Sequence, residues 1–596
     1  VCAIFGIIGS YEVNQAQKAF DMLAHRGGDE RVVMAMEQRF LGLHRLAITT
    51  ITQPFATPTA FDETTILLNG EIYNYQQLGI TLGMKSLSEI EVLHAAYAKW
   101  GDDFVRHLRG MFAIAIVEGL RVKLFRDPLG KKPLFYSLQK GQFIFASEMK
   151  AISPLTPLRF DKTILPTYLS FGAALYDKSF GTNIYQVEAG QCVLFDGTTE
   201  TIEKKSHEVF LKPLSLMEDA NEAEVLLEGT LLDAVRLRVP SEAPYACLLS
   251  GGLDSSLISA MATHFSSVHT FSIGYEGYEK YDERPYAKIV SEHIGSTHHE
   301  VVFSKEAFLQ TVDEVVSLLD EPLADPAMFP LCYLMKAVRK EEFKVVLTGD
   351  GSDELFMGYR TYKEFDALEK LSTLNQKGWL EHYFKTHFSM HKEWEWHKRA
   401  FEGSMVFRSS AEVFTDLQQN RLLRQNIKEN TSAKTLQPYR DAFESSGYTS
   451  SVDWHSYLDI KVMLGAVFLR KLDRMSMAHS IEARSPFLDK EVVDMAFSFA
   501  PELRAPTAPK ALLKRIAARY LPEEIVNRKK KGFNYPYVEW LHESGELEVL
   551  GRVQAKLHLF REEELAMYLE KSKQGMFKQH LFSLYILCKW LEKKEI

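Results

Sequence analysis

Residues 250–256 read Ser-Gly-Gly-Leu-Asp-Ser-Ser, between an apolar run at 245–249 and a helix-forming stretch at 256–265. No other string restricts the fold so strongly. A glycine pair after a buried strand and before a helix is where an open α/β sheet binds ligands, beyond the carboxyl end of the strand. The glycines let backbone amides approach anionic oxygens, and the helix N-terminus adds the positive end of its dipole. Ser250, Gly251, Gly252, Ser255 and Ser256 are therefore candidate phosphate ligands. No Gly-Lys-Ser/Thr follows, so the loop is not Walker A. Asp254 repels phosphate unless a hard cation lies between them, which points to Mg²⁺.

A second loop repeats the logic. Thr348-Gly349-Asp350-Gly351-Ser352-Asp353-Glu354 follows the apolar strand 344–347. Three carboxylates around two glycines repel one another unless a metal or cationic substrate sits among them. Asp254 and Asp353 are expected to share Mg²⁺ on a pyrophosphate. A basic run, Arg528-Lys529-Lys530-Lys531, is flanked by Val526, Phe533 and Tyr535. A lysine there could neutralise transition-state charge, or the run could be a solvated face.

These loops belong to a stretch where strands (245–249, 268–273, 344–347) alternate with helices (221–238, 256–265, 285–293). Alternation predicts a doubly wound parallel sheet. Beyond about 360 the chain reads as helical. The first two hundred residues differ. Short β-branched or apolar runs at 41–48, 64–68, 112–117, 122–125, 143–146 and 192–195 are interrupted by helices at 15–24 and 88–100, an α+β pattern of packed sheets. Two domains are expected, 1–205 and 206–596.

Composition excludes other classes. With 596 residues, 46% hydrophobic and 25% charged, the chain is neither disordered nor a collagen nor a coiled-coil rod. A net charge of −9 argues against a protein that coats nucleic acid. The 5 cysteines form no C-x-x-C pair, which argues against a cysteine zinc site and for a reducing compartment. The start carries no basic n-region, and no apolar run approaches the ~20 residues of a membrane span. The expectation is a cytoplasmic protein with no membrane or nucleic-acid partner.

Cys2 stands beside the first residue. A cysteine at a free N-terminus carries its own base, the α-amine. The bland alternative is a small buried residue near a frayed end. Three further strings weigh on the choice. His25-Arg26-Gly27-Gly28-Asp29 follows a helix, His44-Arg45 lies in an apolar strand, and Asn69-Gly70-Glu71-Ile72-Tyr73-Asn74 follows another. Arginine grips carboxylates, carboxylates bind ammonium, and an Asn amide or Gly N–H can donate to an oxyanion. Together they could hold an α-amino acid by both ends while its side-chain amide is attacked.

Over nearly its whole length the chain resembles the glutamine-dependent asparagine synthetases of the B type, which carry a class II (N-terminal cysteine) amidotransferase domain. The resemblance rests on C-A-I-F-G-I, H-R-G-x-D, N-G-E-I-Y-N, G-M-F-A-I-A, R-D-P-L-G-K-K-P-L, F-A-S-E-M-K-A, S-G-G-L-D-S-S, G-D-G-S-D-E-L-F and E-A-R-S-P-F-L-D, in family order. It implies an α+β Ntn-hydrolase sandwich followed by an α/β ATP-pyrophosphatase domain (PP-loop, adenine nucleotide alpha hydrolase-like) with a helical C-terminal part. It implies that Cys2 attacks the glutamine amide, Asn69 and Gly70 form the oxyanion hole, and Arg45 grips the α-carboxylate. Glu71 and Glu89 would lie near the α-amine. Leu249, Ile273, Thr348 and Gly349 would line the ATP site. Asp350 would support formation of a β-aspartyl-AMP intermediate, and Lys530 would stabilise its transition state. Glutamine, aspartate and ATP are the implied substrates, Mg²⁺ the implied cofactor, and a homodimer the implied assembly.

Four positions depart from the family pattern: Val1 for Met, Gly28 for Pro, Glu89 for Asp and Asp350 for Glu. A retained Val1 would deprive Cys2 of its free amine. Asp350 moves an acid by one methylene and weakens the case for aspartate against another carboxylate acceptor, such as a sugar acid or peptide. A tRNA-modifying pyrophosphatase and a non-catalytic glutamine-binding protein are the readings from other classes.

Overall fold

The structure, a computed structural model, describes residues 2–49, 64–85, 88–207, 212–213, 215–359, 361–374, 377–388, 392–407, 412–428, 431–504, 508–529 and 534–596. The N-terminal strands are β1 (Cys2–Ile8), β2 (Glu30–Met36), β3 (Arg39–Arg45), β4 (Thr64–Ile72), β5 (Gly110–Glu118), β6 (Arg121–Arg126), β7 (Phe135–Gln139), β8 (Gln142–Ala146), β9 (Tyr185–Gln186), β10 (Gln191–Asp196) and β11 (Thr201–Ser206). One sheet runs β2-β3-β1-β8-β7-β9, the other β11-β10-β6-β5-β4, and their neighbours pair antiparallel.

The period-2 alternation of each strand sorts its side chains into layers. Ile4 and Ile8 share a core with Ala113, Ala115 and Val117 between the sheets. Ala3, Phe5 and Ile7 turn outward onto Ala16, Ala19 and Phe20 of the helix Val13–Asp21. Ile114 and Ile116 turn outward onto Ile90, Leu93 and Ala96 of the helix Glu89–Trp100. Helix, sheet, sheet and helix stack as four layers, the Ntn-type sandwich.

The second half holds β12 (Tyr245–Leu248), β13 (His269–Tyr275), β14 (Thr297–Phe303), β15 (Val345–Leu347) and β16 (Glu482–Arg484), parallel in the order β14-β13-β12-β15-β16. Strand β12 has β13 on one side and β15 on the other. The loops after β12 and β15 therefore face each other across the switch-point crevice. Helices make up most of the rest, ending in Lys578–Lys593, whose Leu581, Leu584, Leu587 and Leu591 are buried. Among the described residues, no helix is long and apolar enough to cross a membrane.

The structure corrects several local expectations. Strand β4 does not stop at 68: Asn69, Gly70 and Glu71 remain paired with Ala113, Phe112 and Met111. Asn-Gly reads as a turn, but here Gly70 adopts φ +149° inside a ladder. The helix expected from 256 is Leu253–Ala262, with Gly252 as its N-cap, so Asp254 lies in the first turn. Strands β2, β7, β9, β11, β14 and β16 were not legible. β11 (Thr-Ile-Glu-Lys-Lys-Ser) is an edge strand with almost no apolar content, the composition that discourages further pairing.

Buried charges join the halves. Arg26 donates to Glu148 at 2.8 Å and to Asp473 at 2.8 and 3.0 Å. Asp489 accepts from both Arg109 and Arg238 at 2.7 Å. Such pairs add little net stability because desolvation offsets attraction, but losing one partner strands a charge.

Candidate active sites

Antiparallel pairing places Cys2 opposite Arg45, and Arg45 opposite Glu30. Cys2 is buried, and its backbone N–H donates to Asn69 Oδ1 at 3.4 Å. Asn69 Nδ2 donates to Ser147 Oγ at 3.3 Å, and Ile4 N–H donates to the same hydroxyl at 3.0 Å. Burial pushes the Cys2 thiol above its ordinary pKa, with Arg45 opposing. A thiol so placed needs a base to become a nucleophile. Arg45 reaches Glu30 at 3.1 Å and the Thr49 carbonyl at 2.9 Å. Gly70 cannot be replaced freely: a Cβ there would lie 2.0 Å from the Met111 carbonyl oxygen.

Glu89 caps this site from another direction. It opens the helix Glu89–Trp100, whose Ser88 forms a capping box with Glu91. Its carboxylate accepts from Ile72 N–H at 2.5 Å. Burial, with Glu71 nearby, raises its pKa to about 8, and burial raises that of Glu71 as well. Glu71 Oε1 lies 3.3 Å from Arg484 Nη2, on the last residue of β16. A cation placed beside these two buried groups would favour their charged forms. Arg26, grouped by sequence with these residues, is instead engaged by Glu148 and Asp473.

Across the molecule, a cavity of about 450 Å³ opens between the loops after β12 and β15. Leu249, Ser250, Gly252, Asp254, Ser255, Ile273, Thr348, Gly349, Asp350 and Asp353 line it, as the sequence expected. Gly251 (φ +69°) is off the wall, packed where a Cβ would meet the Ala287 nitrogen at 2.5 Å. Ser256 is fully buried. The two loops touch closely, since a Cβ on Gly349 would lie 2.7 Å from the Ser255 nitrogen. Leu464 and Phe468 reach the cavity from Ile460–Phe468, a π-helix, a form concentrated at functional sites.

Asp254 and Asp353 come together, but the cation between them is Lys510. Its ammonium lies 2.7 Å from both Asp254 oxygens and 2.7 Å from Asp353 Oδ1. Burial opposes its charge, yet the two aspartates hold its pKa above the ordinary lysine value. Sequence gave no signal for Lys510, which lies far from both glycine loops. Arg528, in the basic run, donates to the Gly251 carbonyl at 2.9 Å and stacks 3.9 Å over Tyr286. That end of the run packs against the Ser250–Ser256 loop rather than forming a solvated face. Lys530, the expected catalytic lysine, and Val1 lie outside the described residues.

Between the two sites a small cavity of about 20 Å³ is lined by Tyr73, Lys131, Lys132, Leu472, Asp473 and Ser485 among others. Leu472 also lines the larger cavity. Ser485 Oγ is 2.9 Å from Thr348 Oγ1 on that cavity's wall. The volume suits one water-sized molecule.

An Ntn-type sandwich with a cysteine on its first strand, fused to a PP-loop sheet, defines a glutamine-dependent amidotransferase ligase. Residues 1–207 match the glutamine amidotransferase domain family, and residues 226–592 match the asparagine synthase family. The chain belongs to the glutamine-hydrolysing asparagine synthetase family. It is 31% identical to asparagine synthetase [glutamine-hydrolyzing] 1 of Bacillus subtilis over 572 residues, covering 91% of this chain and 88% of that one. It is 29% identical to the Bacillus subtilis asparagine synthetase [glutamine-hydrolyzing] 3, covering 86% and 83%. It is 25% identical to the amidase chyE of Penicillium rubens, covering 89% and 85%.

Proposed function

We propose that the protein makes asparagine from aspartate, ATP and glutamine-derived ammonia. The observation that carries this reading is the small cavity beside Tyr73, on the chain just past Glu71, which shares Leu472 with the nucleotide-sized cavity of the second half. With Val1 removed, Cys2 attacks the glutamine amide, its freed α-amine taking the thiol proton and passing it to the departing ammonia. Asn69 and Gly70 stabilise the oxyanion, Arg45 holds the α-carboxylate, and Glu71 and Glu89 hold the α-ammonium. Hydrolysis of the thioester returns Cys2 and releases glutamate. Free ammonia in water is mostly ammonium, so enclosure keeps it nucleophilic until it reaches the second site.

There an aspartate β-carboxylate oxygen attacks the α-phosphorus of ATP. The α–β phosphoanhydride breaks, pyrophosphate leaves, and β-aspartyl-AMP forms. Ammonia then attacks the activated carbonyl carbon, and AMP departs with the bridging oxygen. The amides and hydroxyls of the Ser250–Ser256 loop bind phosphate. Asp350 supports formation of the adenylate, Lys530 offsets charge on phosphate in its transition state, and the proton that ammonia sheds leaves with AMP. Asp254 and Asp353 offer the hard oxygen donors Mg²⁺ requires, and the ion would neutralise departing pyrophosphate. Their convergence on one cation, Lys510, is what supports that fit.

The same machinery could amidate another carboxylate. The amidase-named relative and the shortened acid at Asp350 favour keeping that second reading. Incubation with aspartate labelled with ¹⁸O in its β-carboxylate decides the intermediate. One ¹⁸O in AMP supports acyl adenylation of aspartate; unlabelled AMP from a competent enzyme rejects it.

A further inference from the structure

The helices Lys305–Leu318 and Met328–Lys340 pack together, and the helix Leu469–Met477 packs on both. Where they meet, Glu314, Cys332 and His479 each point one ligand atom into a common space, all three atoms within 4.8 Å of one another. Cys332 Sγ is 3.4 Å from His479 Nε2, and that nitrogen is 3.9 Å from Glu314 Oε1. The thiol is buried, while the imidazole and carboxylate are 13% and 36% exposed, so the space has one open side.

The separations can be compared with a tetrahedral ion. Zinc bonds of about 2.3 Å to sulfur and about 2.0 Å to nitrogen and oxygen put S···N near ~3.5 Å and N···O near ~3.3 Å. The first is already met. The second needs Glu314 to close by roughly half an ångström, a small rotation for a partly exposed side chain. Lys336 holds the other carboxylate oxygen, Oε2, at 3.4 Å, and so orients Oε1 inward. Burial lowers the His479 pKa and raises the Cys332 thiol to about 12, so a metal bound there would displace one thiol proton.

We propose that Glu314, Cys332 and His479 form a zinc site with three protein ligands and one position open to solvent. Thiolate and imidazole select zinc over the magnesium that carboxylates would take. The site is separate from the glutamine and nucleotide pockets, but it adjoins the interface between halves. The next residue, Ser480, adopts φ +52° and donates to the His25 carbonyl at 2.7 Å. Bound zinc would brace the turn that leads from Asp473 and Arg474 to β16 and Arg484.

Titration of the full chain with Co²⁺ in excess Mg²⁺ tests this. Cobalt on the aspartate site gives no sulfur band, whereas cobalt on Cys332 gives a thiolate charge-transfer absorption. The expected result is one such equivalent per chain, displaced by Zn²⁺, lost in Cys332→Ser and His479→Ala, and retained in Cys2→Ala. Glu314→Gln, a change at a partly exposed side chain, should keep the native circular dichroism and weaken Co²⁺ by roughly 10–100-fold or more. No charge-transfer band, a band that survives Cys332→Ser, or unchanged affinity in Glu314→Gln overturns the proposal.

Discussion

Replacing Lys510 by methionine removes the cation between two aspartates while preserving most of its volume. Both carboxylates lie 2.7 Å from one nitrogen, which puts them within about 5 Å of each other. At an effective dielectric of ~20, two like charges at that separation repel by roughly 3 kcal/mol. Removing one partner of a buried ion pair costs about 3–5 kcal/mol. Lys510→Met should therefore lose about that much stability without divalent cations. Mg²⁺ alone should now restore much of it, about 2.7 kcal/mol at 100 times its dissociation constant. The wild type, with its own ammonium in place, should respond less. Tryptophan fluorescence during urea unfolding reads the effect, since every tryptophan but Trp100 lies beyond residue 350. A variant as stable as wild type without Mg²⁺, or a loss indifferent to Mg²⁺, would refute the reading of this aspartate pair as a cation site.

Four further outcomes are expected. Cys2→Ala should lose glutamine hydrolysis and glutamine-driven synthesis, while ammonium-driven AMP formation persists; loss of both would place Cys2 in the fold rather than in chemistry. Gly70→Ala forces a Cβ to 2.0 Å from a backbone oxygen and should cut glutaminase activity at least about tenfold while sparing the ammonium reaction. Glu89 has a folded pKa of about 8, above its unfolded value, so its contribution to stability is present below ~4.5 and lost as pH rises through about 8. Glu89→Gln should accordingly be more stable than wild type at pH 9 and equal to it at pH 4, by thermal melts, while binding glutamine more weakly. Arg484→Met strands Glu71 and should destabilise the junction by about 3–5 kcal/mol and raise glutamate formed per asparagine; an unchanged ratio would contradict a coupling role.

What the sequence revealed, and what it hid, follows from the range of the interactions involved. Both glycine loops were legible because their function needs local geometry: a strand end, a tight turn, a helix start. Packed sheets were legible as runs of short strands, while their layering into a sandwich came from the family resemblance. Lys510 was not, since it meets Asp254 only through the tertiary fold and carries no local motif. Arg484 sits in a string used to recognise the family, yet its partner Glu71 lies on another domain's strand. Asn69 and Gly70 were expected after a strand because Asn-Gly normally turns. The ladder with β5 overrode that preference, at the cost of a φ only glycine takes easily. Edge strands β11 and β14 escaped notice because polar residues are what edges favour.

The central claim is that two distant sites in one chain share a nitrogen atom. It is tested most directly by supplying amide-¹⁵N glutamine, ATP, Mg²⁺ and aspartate with excess unlabelled ammonium, then analysing products by mass spectrometry. The account predicts ¹⁵N-asparagine matched to AMP and pyrophosphate, with little dilution by bulk ammonium. Labelled ammonia and glutamate beside unlabelled asparagine would contradict it, and no asparagine at all would move the acceptor site to a different carboxylate.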